Sequence, residues 1–92
     1  MTVIILERAA PGQRGALTKW MTEVAAGVFV GRLRKRVRER LWESIAEQAA
    51  DDGASALMVW RTNTPQGFEI RSENPQGRYA EDVDGVWLVR IP

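Results

Sequence analysis

The sequence predicts a single α+β domain, with two helices laid on one face of a small antiparallel sheet. Three observations carry that expectation. A β-branched apolar run, Val3–Leu6, stands near the start of the chain and suits an inner strand. Arg14–Ala26 and Arg32–Ala50 carry apolar residues at helical spacing. Further short apolar runs, Val28–Val30, Ala56–Trp60 and Val86–Ile91, and the alternating stretch Phe68–Ser72 are separated by turn-forming residues. At 92 residues, 45% hydrophobic and 27% charged, the chain has the composition of one ordinary globular domain near the lower end of the size range.

The elements follow in order. Val3–Leu6 runs into the carboxylate Glu7, where a buried strand would emerge at the edge of the domain. Ala9–Gln13, with Pro11-Gly12, reads as a short connection. In the first helix, Leu17, Trp20, Met21 and Val24 fall at i, i+3, i+4 and i+7, and Gly27 is placed to stop it. Val28–Val30 is a brief strand. In the second helix Leu33, Val37, Leu41 and Ile45 form a stripe four residues apart, and Asp51-Asp52-Gly53 ends it. Ala56–Trp60 and Phe68–Ser72 read as a hairpin around the turn-rich Thr62–Gly67. Asn74–Gly77 is a loop, and Val86–Ile91 is a final strand. The order of strand, helix, strand, helix, then three strands places both helices on one sheet face, a ferredoxin-like sandwich. The other face is then apolar, and a homodimer joined sheet to sheet would cover it.

Composition removes several classes of chemistry. Without cysteine or histidine there can be no disulfide, thiolate zinc site, or Ser-His-Asp triad. A metal would be held by oxygen ligands, which suits magnesium or manganese. No basic leader with a long apolar run and no membrane-spanning stretch is present, so a cytoplasmic protein without membrane contact is expected. Net charge is only +1, yet it is unevenly placed. Residues 1–50 hold nine Lys and Arg against five Asp and Glu, while residues 51–92 hold four against seven. One surface suited to a polyanion and one acidic surface suited to a basic protein are expected.

Glu7 has two readings: the first solvated residue after a strand, or a carboxylate that holds magnesium when two copies meet across a dimer axis. The first half of the second helix reads R-L-R-K-R-V-R-E-R. Cations there oppose the helix dipole, so the run is either a solvated face or one that meets a polyanion. Arg8 and Arg14 flank the turn after the first strand, and Arg78 lies in the last loop. Guanidinium groups in this pattern suit bidentate contact with phosphate, hence backbone recognition of a nucleic acid. Trp20, Trp42, Trp60 and Trp87 sit on apolar faces at helix or strand spacing and are read as core residues in preference to base-stacking ones.

Ile4–Gly15 (I-I-L-E-R-A-A-P-G-Q-R-G), Glu23–Gly31, Arg38–Ala46, Thr62–Glu69 and Asp82–Gly85 together resemble the small CRISPR-associated adaptation subunit. This is the second protein of the spacer-acquisition pair, in its type I-E form. The resemblance implies a ferredoxin-like homodimer bridging two integrase dimers and holding a short DNA duplex, the prespacer, for insertion as a new spacer. It implies DNA contacts at Arg14, Arg36 and Arg78; local charge adds Arg8 and Arg38. It also implies that residues 82–92 form a C-terminal docking strand for the integrase, with Asp84, Val86 and Leu88 as the contact residues. The wider family is described as metal-dependent endonucleases of RNA or DNA, with a carboxylate at the end of the first strand. Glu7 is that position here, and it implies the alternative of a magnesium-dependent nuclease. Gly12 and Gln13 stand where the type I-E form usually has two arginines before Gly15, and one loop arginine near Arg78 is absent. Weaker DNA binding with a flatter salt dependence is expected unless the basic second helix compensates.

Overall fold

The computed structural model describes residues 1–8, 11–73, 79–83 and 86–90. The elements run β1 (Thr2–Glu7), α1 (Pro11–Leu17), β2 (Thr22–Ala25), β3 (Val28–Gly31), α2 (Lys35–Asp52), β4 (Ser55–Arg61), β5 (Phe68–Glu73), β6 (Tyr79–Val83) and β7 (Val86–Arg90). Five strands form one sheet in the order β2-β3-β1-β4-β5, and every neighbouring pair is antiparallel. The first four strands with α1 and α2 give the β-α-β-β-α-β arrangement expected of a ferredoxin-like sandwich, and β5 extends the sheet beyond β4. A separate antiparallel pair, β6 and β7, completes the described chain.

Strand alternation separates the two sheet faces. Ile4 pairs with Phe29 on one side and Met58 on the other, and all three are fully buried. Leu6, Ala56 and Trp60 lie on the same face, against Leu17 and Met21 and against Ile45 of α2. Full burial of each large apolar side chain contributes about 1.5–3 kcal/mol, so this layer is the main source of stability. Gln13 of α1 is 4% exposed and donates from Nε2 to the carbonyl of Ile45 at 3.3 Å, tying α1 to α2. On the opposite face Val3 pairs with Val30 and Val59, and Ile5 with Val28 and Leu57; all six are half-buried. Glu7, paired with Ser55, shares that face and is exposed.

The first helix differs from its expected span of Arg14–Ala26. It starts at Pro11, inside the stretch expected to be a connection, and ends at Leu17. Proline is well suited to the first helical turn because its missing N–H has no intrahelical partner there. The helix closes when the Leu17 carbonyl accepts from both Trp20 N–H (3.0 Å) and Met21 N–H (2.9 Å). Leu17 and Met21 still reach the core, but Trp20 is 55% and Val24 61% exposed. The apparent helical stripe therefore joins one helix end, one turn and one strand. Thr22–Ala25 pairs with β3 instead, with Val24 as an extra residue between the Glu23–Phe29 and Ala25–Val28 pairs. Such a bulge twists an edge strand and discourages further pairing.

Gly27 stops no helix. It is the second residue of the tight β2–β3 turn, at φ +75°. Its carbonyl accepts from Leu6 N–H at 2.7 Å, and a Cβ would run into the Leu6 carbonyl oxygen. Only glycine meets both demands. α2 starts three residues later than expected and ends at a left-handed Gly53, a common helix stop.

Candidate nucleic-acid interface

Two groups of basic side chains lie at opposite ends of β1. At its C-terminal end β1 emerges as Glu7, and Arg8 follows with φ +59°, an uncommon conformation for a residue with a side chain. Arg8 and Arg14 line a cleft of about 250 Å³ with Leu6, Ala26 and Gly27. Arg14 is ion-paired through Nη2 to Oε2 of Glu23, which also accepts the Gly27 N–H at 2.8 Å. These two interactions, the backbone bond first, hold the Glu23 carboxyl below the usual glutamate range. Glu23 thus fixes the guanidinium of Arg14 beside the β2–β3 turn, while Arg8 makes no ion pair among the described residues.

At the other end of β1, Arg32 and Arg34 on the β3–α2 connection and Arg61 at the end of β4 line a cleft of about 470 Å³ with Met1 and Leu33. All three arginines are exposed, and none has a carboxylate partner among the described residues. α2 begins with no acidic residue in its first turn and no side-chain cap from Arg34, so its first N–H groups add positive potential. Arg61 was not picked out from the sequence. Its only signal there is a basic residue closing an apolar strand.

The side chains singled out from the sequence fall in different places. Arg36 is exposed. Arg38 is half-buried, with its Cζ 4.7 Å from the centroid of the Trp60 ring. Arg71 approaches the same ring at 5.0 Å. Arg71 Nη1 donates to both oxygens of Glu39, at 2.9 and 3.0 Å, and Arg38 Nε lies 3.6 Å from that carboxylate. Arg38 is therefore held inside the α2–sheet contact. Trp60 is core and Trp42 packs against it, as expected, but Trp20 is exposed. Val86 and Leu88 belong to β7, where they pair with Val83 and Glu81. Arg78, Asp84 and the end of the chain beyond Arg90 lie outside the described residues.

No group of three or more acidic side chains that could hold a metal ion occurs among the described residues. A single carboxylate such as Glu7 could hold magnesium only together with water or substrate phosphate oxygens. No helix among the described residues is long and apolar enough to cross a membrane.

The molecule is thus a ferredoxin-like domain that carries exposed guanidinium groups at both ends of its first strand. The model of the CRISPR-associated protein family Cas_Cas2CT1978 matches residues 1–88. The chain belongs to that family of Cas2-like CRISPR proteins, which is consistent with a part in CRISPR adaptation.

Proposed function

We propose that the chain is the type I-E form of the adaptation subunit, a homodimeric scaffold that holds a short DNA duplex between integrase dimers while the integrase performs strand transfer. The observation that carries the reading is the set of exposed arginines, Arg8, Arg32, Arg34, Arg36, Arg40 and Arg61, without ion-pair partners among the described residues. Guanidinium groups within each group repel one another, and a phosphate backbone relieves that repulsion as they displace its condensed counterions. Such contacts position a duplex without reading its bases. Arg14, held by Glu23, and Arg78 of the last loop join the same surface in this reading. The strand Val86–Arg90, with Asp84 before it, is the proposed docking segment for the integrase through Val86 and Leu88.

A second reading is a magnesium-dependent nuclease. It is favoured by the position of Glu7 on the same sheet face as Val3 and Ile5, where a sheet-to-sheet dimer would bring two copies together. Spacer integration with the partner integrase in magnesium, comparing wild type with Glu7→Ala, separates the two. Equal integration is expected for a scaffold. A mutant that assembles yet fails to integrate would overturn it and bring the nuclease reading forward.

A further inference from the structure

Trp20 lies at the surface, yet its backbone is firmly placed. Its N–H donates to the Leu17 carbonyl at 3.0 Å. Its own carbonyl lies so close to Gly31 that a Cβ there would sit 3.1 Å away. Beside it α2 presents Arg36, Val37, Arg40 and Leu41, and these residues with Trp20 line a recess of about 190 Å³. Val37 and Leu41 are half-buried, whereas Arg36 and Arg40 are exposed and free of ion pairs among the described residues.

Among the described residues no acidic side chain lines the recess, so its charge favours an anionic occupant. An indole and two apolar side chains offer a surface for a flat, uncharged ring. Two guanidinium groups one helical turn apart flank it. A nucleotide has both parts, a base to stack and a phosphate to pair. In an intact duplex the bases are already stacked on one another, so this recess suits an unpaired one.

We infer that Trp20 is a stacking platform for an unpaired base of single-stranded DNA, with Arg36 and Arg40 binding the adjoining phosphates. The inference deepens the proposed DNA-binding function and rests on it for its setting, but its ligand is a single strand.

The test titrates the full-length protein with short oligo(dT) and, separately, with a blunt duplex, following intrinsic fluorescence and the anisotropy of labelled DNA. Oligo(dT) is expected to quench the wild-type emission. Trp20→Ala, whose far-ultraviolet circular dichroism should match wild type, is expected to weaken oligo(dT) binding by about tenfold or more. Trp20→Phe should retain most of that affinity, and duplex binding by Trp20→Ala should stay within about twofold of wild type because phosphate contacts dominate it. Unchanged oligo(dT) affinity in Trp20→Ala, or equal losses for both ligands, would overturn the inference. So would quenching by an acidic peptide with no response to oligo(dT), which would make the recess a protein-docking site. Loss of duplex binding in the wild type, with Trp20-dependent oligo(dT) binding intact, would remove the scaffold reading and leave the stacking site standing.

Discussion

Glu23 is the residue on which the cleft at the end of β1 depends. One of its oxygens serves both the Arg14 guanidinium and the Gly27 N–H. Its folded pKa is lowered by those contacts, so the ionised form favours folding. That contribution is present above the ordinary glutamate pKa and is lost as pH falls through it to the lower folded value. Glu23→Gln is therefore expected to lower the urea midpoint near neutral pH, with the difference from wild type vanishing on acidification. A difference that persists unchanged in acid would mean that shape rather than charge sets the contact. Gly27 is constrained in another way. Gly27→Ala places a side chain at positive φ and against the Leu6 carbonyl, and a loss of about 2–4 kcal/mol is expected by denaturant unfolding.

At the scale of elements, α2 divides its basic residues between two tasks. Arg38 lies against Trp60 and its carboxylate neighbour Glu39, while Arg36 and Arg40 face solvent. Arg38→Ala is expected to reduce thermal stability with little effect on duplex affinity, because a packed guanidinium also contributes through its stem and ring contact. Arg14→Glu should weaken duplexes of any sequence alike and flatten the salt dependence measured by anisotropy, and by facing Glu23 with a second carboxylate it should also lower the urea midpoint. A loss confined to particular sequences would contradict backbone recognition. Trp60→Ala, which empties the middle of the α2–sheet contact, should cost about 3–5 kcal/mol in chemical denaturation. A folded Trp60→Ala protein with selective loss of DNA binding would instead make that ring part of the interface.

For the whole molecule, the sheet face opposite the helices is the main unexplained surface. Val3, Ile5, Val28, Val30, Leu57 and Val59 form a continuous apolar patch across β3, β1 and β4, all half-buried. Patches of this kind mark association surfaces, and small domains gain most from covering them. Light scattering at micromolar concentration is expected to give a dimer, and Ile5→Glu at the centre of the patch a folded monomer. A monomeric wild type would count against the sheet-to-sheet arrangement and against any site shared by two copies of Glu7.

Much of the architecture was determined by the sequence alone, because burial on two faces requires runs such as Val3–Leu6 and Ala56–Trp60 that no exposed element would carry. The α2 stripe and its glycine stop were legible for a similar reason: 3.6-residue periodicity over five turns leaves little ambiguity. The basic character of α2 and of the β1–α1 turn was also plain. Only the tertiary structure decided what Leu17–Val24 became. Four apolar residues at helical spacing also satisfied a helix end, a turn and an edge strand once β3 was there to pair with Thr22–Ala25, and long-range strand pairing outweighs local periodicity over so short a stretch. The roles of individual arginines were hidden for the same physical reason. A sequence states where a charge lies along the chain, but the distant group that holds it, Trp60 for Arg38 or Glu23 for Arg14, is brought there only by the fold.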